Sequence, residues 1–227
     1  MGIISVEQVD HLYWLGRYTE RVYTTLKIFS KSFDMMIDAK EDVYPRYCAA
    51  LDIPNIYDSK DDFLKRYPFD DSIADSIISN LNRAYDNAIV LRETIGSDAL
   101  SYIQLSIYAM NNASKSDSPL IELQQIMDDL LSFWGIVDDQ IDAEQIRNII
   151  KAGKRIERID LYARLKNDKK SLEREVHRMI PRVLRSGMKY DESALSKVST
   201  LINENIIDYT KVIQSVESIV VYNSVRR

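Results

Sequence analysis

One six-residue pattern occurs twice in this chain of 227 residues and constrains its fold more than any other feature. GRYTER begins at Gly16 and GKRIER begins at Gly153, 137 residues later (153 − 16), so both copies read G-[R/K]-x-x-E-R. The apolar positions around the two copies repeat in the same register. Leu12, Leu15, Thr19, Val22 and Leu26 correspond to Ile149, Ala152, Ile156, Ile159 and Ala163. The repeat predicts two equivalent helices with the same buried stripe in one fold.

The remaining hydrophobic periodicity is also helical, and no alternating strand pattern exceeds about four residues. Glycine (6) and proline (5) are scarce, as expected for helices. The sequence therefore predicts a single all-α domain over residues 1–227, a helical bundle of six to nine helices with two long, pseudo-symmetric central ones. The predicted helices lie near 5–38, 42–51, 59–66, 71–96, 99–113, 119–134, 144–165, 171–184 (kinked at Pro181) and 191–222.

The composition excludes several classes of function. A net charge of −5 argues against a general nucleic-acid coat, because phosphate binding needs a basic surface. A stretch of about 18 apolar residues is missing, so no membrane span is predicted. The single cysteine, Cys48, forms no intrachain disulfide and favours a cytoplasmic protein. On its apolar helix, Cys48 is predicted to be a core residue.

The polar residues of the repeat occupy a second helix face. At 100° per residue, Arg17 and Glu20 point about 135–165° away from the stripe of Val22. A glycine inside a helix costs about 1 kcal/mol relative to alanine, so Gly16 and Gly153 need a reason. Three interpretations stay open. Two central helices cross at the glycines above a buried ionic lattice, both copies build a polar binding or catalytic site, or this face is solvated.

The first copy, with Leu12-Tyr13-Trp14-Leu15 before it, resembles the N-terminal signature of the Alpha-E domain family, an α-helical domain with recurring Glu-Arg motifs. The second copy is similar to that family's second signature, and Asn87-Ala88-Ile89-Val90-Leu91-Arg92-Glu93 resembles its middle signature. This sequence departs from the pattern at Lys154, where arginine is usual, and at Ala152. Since lysine lacks the bidentate geometry of Arg17, the two copies are chemically unequal.

The resemblance implies a context rather than a reaction. Alpha-E domains occur beside, or fused to, ATP-grasp-type amide ligases and transglutaminase-like peptidases. We therefore expect an accessory or partner domain in peptide synthesis or modification, with one of those proteins as partner. The alternatives are an enzyme acting on a peptide or aminoacyl substrate, and a homo-oligomeric scaffold. The candidate polar or anion-binding residues are Arg17, Glu20, Arg21, Arg92, Glu93, Lys154, Glu157 and Arg158.

Other motifs give no cofactor or metal site. Asp138-Asp139-Gln140-Ile141-Asp142 has the D-D-x-x-D spacing that holds Mg²⁺ in prenyl synthases, but a second acidic motif is missing. The run is interpreted as an acidic helix end or loop. The two histidines, His11 and His177, lack the Glu-x-x-His spacing of di-iron bundles.

Residues 151–185 carry twelve Lys/Arg and five Asp/Glu. Within this segment four arginines fall on one helix face, where they repel one another unless anionic groups lie against them. They are Arg174, Arg178, Arg182 and Arg185. This face is either solvated and balanced by nearby acids, or a docking surface for an acidic protein, a phosphate-bearing ligand or RNA.

Overall fold

The computed structural model describes residues 4–38 and 43–221 and is all-α over them. Tyr190 and Val220 pair in an isolated antiparallel bridge, and no strand forms in the described ranges. The helices are α1 (Val6–Asp38), α2 (Val43–Leu51), α3 (Lys60–Arg66), α4 (Ile77–Val90), α5 (Arg92–Ala113), α6 (Pro119–Asp139), α7 (Glu144–Arg164), α8 (Lys169–Ser186), α9 (Glu192–Asn203) and α10 (Tyr209–Glu217). The all-α prediction is confirmed.

Helices α1 and α7 pack along each other at the centre, as the repeat predicts. Helix α1 also packs on α4 and α6, whereas α7 packs on α8 and α10. The residues of both predicted stripes are at most 1% exposed. Since further helices cover each stripe, the face that carries the repeated polar residues is the face left for the other central helix.

The two glycines lie where α1 and α7 cross. A Cβ on Gly16 would overlap the carbonyl oxygen of Ile150, and one on Gly153 would overlap that of Tyr13. The two contacts are equivalent, because Tyr13 corresponds to Ile150 and Gly16 to Gly153 in the repeat. Such an exchange of partners is the mark of a two-fold relation, here inside one chain. Glycine is required at both positions because the opposing backbone occupies the space of a side chain.

An aromatic cluster fixes the later half of α1 to the short helices that follow it. The Phe63 ring stacks on Tyr67 with centroids 5.1 Å apart, and Phe29 lies 6.0 Å from Phe63. Tyr47 donates a hydrogen bond to the Thr25 carbonyl (3.2 Å), which ties α2 to α1. Such aromatic contacts each add about 0.5–1.5 kcal/mol beyond burial.

The prediction of one helix over 191–222 is wrong, because the helix is interrupted between the end of α9 and the start of α10. Ile206, assigned to its apolar stripe, is 86% exposed. Asp208 caps α10 by accepting a hydrogen bond from the Lys211 backbone N–H (3.1 Å). A local capping bond thus replaces helix continuation. Tyr222 lies outside the described residues, as does Asp42 at the predicted start of α2.

Other predicted boundaries shift as well, among them that of the helix predicted over 71–96, which is Ile77–Val90 in the structure. Helix α5 begins at Arg92 and bends at Gly96, whose φ of +82° is accessible to glycine. Helix α6 continues through Gly135 to Asp139, beyond the predicted end at 134. Asp138 and Asp139 are therefore the last residues of a helix and Asp142 follows it, as the interpretation of the acidic run expected.

We expect Gly16→Ala to lower the free energy of unfolding by about 1–3 kcal/mol, because its methyl group would meet backbone rather than a movable side chain. Gly135→Ala is the matched control. Nothing lies within 4 Å of a Cβ there, so the gain in helix propensity should stabilise the protein by up to about 1 kcal/mol. Urea unfolding of both variants checks this, and an unchanged or raised stability of Gly16→Ala would contradict the crossing.

Candidate functional site

Beyond the crossing, the repeated Glu-Arg pairs exchange partners between the two central helices. The Nε of Arg21 donates to Oε1 of Glu157 (2.5 Å). In the equivalent contact, the Nε of Arg158 donates to Oε1 of Glu20 (2.6 Å), and the same guanidinium reaches Oε2 (2.8 Å). Residues 13 and 16 meet 150 and 153 at the crossing, and residues 20 and 21 meet 157 and 158 here. Helices α1 and α7 therefore run in the same direction.

Each motif glutamate is fully buried, and both of its carboxylate oxygens accept hydrogen bonds. Glu20 and Glu157 are both 0% exposed. Glu157 accepts a second arginine, from Arg17 Nε to Oε2 (2.6 Å), and Glu20 accepts the Thr24 hydroxyl (2.8 Å). The solvated-face interpretation is wrong, and the buried ionic lattice is the arrangement found.

The charges of this layer support one another. Burial raises the pKa of the Glu157 carboxyl, but the attraction of Arg17 and Arg21 outweighs it and leaves that pKa lowered. Burial likewise opposes the charge of Arg17, yet Glu157 holds its pKa well above the ordinary value. Glu157, Arg17 and Arg21 are thus all charged at neutral pH. A carboxylate that is paired in this way is a poor proton carrier, because any proton transfer would break both ion pairs.

Lys154 breaks the equivalence of the two halves. Its counterpart Arg17 bonds to Glu157, whereas the Lys154 ammonium lies 3.7 Å from the centre of the Trp134 ring and donates no hydrogen bond within the described residues. Lys154 is only 8% exposed. Burial lowers its pKa to about 7, and although Glu20 opposes this shift, Arg158, Arg155 and Lys151 add to it.

The ionic layer continues onto α8 through Glu175, which is 1% exposed. Arg155 donates to Glu175 (2.5 Å), and Arg158 lies 3.8 Å away. Arg174 and Arg178 approach the same carboxylate at 3.5 and 3.2 Å. Burial favours the neutral acid, but these arginines lower the pKa of Glu175 overall. One glutamate therefore anchors α8 to the central pair.

This Glu-Arg layer agrees with the comparison to known families. Residues 7–227 match the Alpha-E family, described as a predicted alpha-helical domain with a conserved ER motif. The chain belongs to the Alpha-E family. Comparison with curated proteins and with solved structures gives no match. In this Alpha-E domain the two ER pairs, at Glu20 and at Glu157, are the residues that join the central helices.

The residues of the middle signature lie in two different helices, with Asn87 in α4 and with Arg92 and Glu93 in α5. Asn87 Oδ1 accepts a hydrogen bond from His11 Nδ1 (2.8 Å), so this part of α4 contacts the start of α1. Arg92 and Glu93, predicted to join the polar site, are instead exposed in the first turn of α5. The turn at Leu91 directs them away from the central pair, and the site of the Alpha-E domain does not include them.

The four arginines of α8 are not equivalent. The side chains of Arg174, Arg178 and Arg185 are 54%, 53% and 67% exposed. Arg182 is half-buried and donates to Oδ1 of Asn148 (2.8 Å). The predicted arginine face thus exists with three members, and the fourth helps to pack α8 on α7.

The rest of the Alpha-E structure bears on Cys48, on possible metal ligands and on membrane-spanning helices. Cys48 is buried, and burial raises its pKa to about 11, so it is a core residue as predicted. Among the described residues, no group of three or more His, Cys, Asp or Glu side chains is arranged to hold a metal ion. No helix in the ranges 4–38 and 43–221 has the length and apolar character needed to cross a membrane.

The sequence interpretation missed a cavity of about 400 Å³ beside Lys154. It lies between α1, α6 and the end of α7, and neither motif glutamate lines it. The residues around it are Tyr23, Thr24, Lys27, Ile28, Lys31, Leu131, Trp134, Lys154, Arg158, Tyr162, Leu165 and Asn167. The four-residue spacing of Tyr23, Lys27 and Lys31 could have indicated a common helix face, but nothing in the sequence places Trp134 opposite it.

We expect Glu157→Gln to lower the free energy of unfolding by about 3–5 kcal/mol, because it leaves Arg17 buried without a counter-charge. Glu217→Gln is the control. Glu217 is 49% exposed and pairs with Arg164 at 3.1 Å, so its loss should change stability by about 1 kcal/mol or less. Chemical denaturation at pH 7 measures both, and equal small effects would contradict a structural role for the layer.

A second prediction concerns pH. The pKa of Lys154 is about 7 in the folded protein and lies near the model-peptide value, about 10.4, in the unfolded chain. Between these values the unfolded chain binds more protons, so the free energy of unfolding rises with pH. We expect Lys154 to add about 2 kcal/mol to the free energy of unfolding between pH 7 and pH 9.

Lys154→Met should remove that increment, whereas Lys197→Met, at an exposed position, should keep it. Lys151, whose pKa burial lowers to about 8, stays in both variants and leaves a smaller rise. Denaturation curves at pH 7, 8 and 9 provide the measurement. The same rise in Lys154→Met as in the natural sequence would show that Lys154 is charged throughout.

Proposed function

We propose that this Alpha-E domain is a non-catalytic partner domain of an ATP-grasp-type amide ligase in a system that makes or modifies a peptide. The observation that carries the proposal is the sealing of the ER motif. Both of its glutamates are fully buried and saturated by arginine pairs. The family's defining residues hold helices together, as expected of a domain whose part is to present surfaces.

The alternative of an enzyme built on a Glu/Arg-lined pocket fits this geometry poorly. Neither glutamate lines the cavity beside Lys154, which is lined instead by Arg158 and Thr24, the partners of Glu20. To act as acid or base, either carboxylate would have to leave an ion pair and become accessible to a substrate. The geometry therefore favours a partner role over acid–base catalysis by the motif.

The arginine face of α8, defined as Arg174, Arg178 and Arg185, is the surface we assign to the ligase. All three side chains are more than half exposed, although Arg174 and Arg178 also approach Glu175 and Arg185 lies 3.9 Å from Glu144. Charge of one sign on a helix face speeds association with an acidic surface and selects against basic ones. We propose that both proteins act in the cytoplasm, where ATP supplies the ligase.

The test is co-purification of the domain with an ATP-grasp-type ligase from the same organism. Arg174→Gln/Arg178→Gln/Arg185→Gln removes three charges from the arginine face. Lys65→Gln/Lys115→Gln/Lys197→Gln removes three exposed charges elsewhere and is the matched control. We expect the first triple variant to weaken ligase binding at least about tenfold and to bind with less dependence on salt than the natural sequence, and the control to bind normally.

Equal binding by both triple variants would contradict docking through α8. Failure of the natural sequence to retain the ligase would contradict the proposal as a whole, and retention of a transglutaminase-like protein instead would replace the ligase by that partner. Thermal unfolding of each variant ensures that binding is compared between folded proteins.

A further inference from the structure

The cavity beside Lys154 has a counterpart on the other side of the central helices. The counterpart is a cavity of about 130 Å³ between α1, α7 and the segment from Leu51 to Asn80. In the repeat register, Arg158 corresponds to Arg21 and Tyr162 to Thr25. Likewise Tyr23, Thr24 and Lys27 of the first cavity correspond to Asp160, Leu161 and Arg164 of the second. The two cavities are thus equivalent places in the internal two-fold arrangement.

The smaller cavity contains carboxylates of its own, from Asp52, Asp75 and Asp160. Asp160 is 0% exposed and accepts a hydrogen bond from Arg164 Nε (3.0 Å). Arg164 occupies the position of Lys27 in the repeat. On this side, the chain therefore supplies the anion that its cation pairs with.

The larger cavity has the cations without the carboxylate. Tyr23 stands where the counterpart has Asp160, and no aspartate or glutamate lines this cavity. Lys27 and Lys31 are exposed at its edge and form no ion pair or hydrogen bond within the described part of the chain. Lys154 lies deeper, 8% exposed, with Trp134 as its aromatic contact and no hydrogen-bond acceptor there. Arg158 is neutralised by Glu20.

From this internal comparison we propose that the larger cavity binds a carboxylate group of an acidic peptide, between Lys27, Lys31 and Lys154. The peptide carboxylate pairs with these lysines as the Asp160 carboxylate pairs with Arg164 in the smaller cavity. This inference goes beyond the partner role proposed above, since it holds whichever protein docks on α8.

The shape and walls of the cavity favour a peptide over a free inorganic anion. A volume of about 400 Å³ takes a side chain with part of its backbone, whereas a phosphate ion would leave most of it unfilled. Ile28, Leu131, Trp134 and Leu165 give it an apolar wall, against which the aliphatic part of a glutamate side chain packs. The lysines take the charged end.

Protonation of Lys154 links binding to pH. Several charged groups face its ammonium: Glu20 from α1, Arg158, Arg155 and Lys151 from α7, with Trp134 packed on it from α6. Since burial holds the pKa of Lys154 at about 7, the free protein is mainly charged there at pH 6 and mainly neutral at pH 8. A bound carboxylate stabilises the charged form, so affinity should fall about tenfold between these two pH values.

The experiment is calorimetric titration of the whole chain with the blocked dipeptide acetyl-Glu-Glu-amide at pH 6 and pH 8. Acetyl-Gln-Gln-amide, which has the same shape without charge, and inorganic phosphate are the comparison probes. We expect the glutamate peptide to bind more tightly than both, with the tenfold pH dependence.

Two variants and one control locate the site. Lys27→Gln/Lys31→Gln, both exposed and safe for folding, should weaken the glutamate peptide about fivefold at pH 6. Lys154→Met should weaken it and remove the pH dependence. Lys115→Gln/Lys197→Gln, with the same change of net charge at remote exposed positions, should bind as the natural sequence does.

Equal binding of the glutamine peptide, tighter binding of phosphate, or an equal loss in the Lys115/Lys197 control would overturn the proposal. So would the absence of any binding of the glutamate peptide at pH 6. The titration contains no ligase, so its failure leaves docking on α8 intact, and failure of co-purification leaves the carboxylate site intact.

Discussion

Contact between two helix backbones at Gly16 and Gly153 is the constraint on which the rest of this structure depends. Without side chains at these positions, α1 and α7 come close enough for the carbonyl oxygens of Tyr13 and Ile150 to occupy the space of a Cβ. About one turn farther along, that proximity brings Arg21 to Glu157 and Arg158 to Glu20 at hydrogen-bond distance. The glycines and the ER pairs therefore depend on each other, because the close packing at the glycines brings the buried ion pairs within hydrogen-bond distance.

The differences between the two halves carry the functional argument. Where the repeat is kept, at the ER pairs, the residues are sealed and structural. Where it diverges, at Lys154 for Arg17 and at Tyr23 for Asp160, the Lys154 ammonium has no carboxylate hydrogen bond among the described residues, and the cavity there is the larger of the equivalent pair. Divergence between equivalent positions thus marks the cavity that we propose as a ligand site, whereas α8 carries the exposed arginines that we propose as a docking surface.

Much of the fold could be predicted because it depends on local periodicity. The stripes through Val22 and Ile159 repeat at helical spacing, and both are fully buried. The same periodicity misassigned Ile206, since capping by Asp208 competes locally with helix continuation and wins. The glycines indicated a close approach, as a helical glycine needs a reason to be kept.

For the candidate site, the sequence predicts which residues take part but not how they pair. That Glu20, Glu157 and Arg158 belong together followed from the repeat, but which arginine meets which glutamate depends on helix direction and register, which no local pattern encodes. Arg92 and Glu93 share a sequence signature with Asn87, yet a turn at Leu91 sends them to solvent. The state of Lys154 depends on Trp134, a residue from a different helix that periodicity cannot place.

The exchange of partners across the crossing has a consequence for folding. A face that is complementary to its own equivalent can also pair between chains, so α1 of one molecule presents to α1 of another nearly the surface it presents to α7. Connection within one chain favours the internal pair through a high effective concentration. Lys154 contributes to the choice as well, because pairing of two α7 helices would bury two copies of Lys154 where the native pair buries one. The unequal residue beside the cavity thereby also disfavours pairing of two α7 helices between molecules.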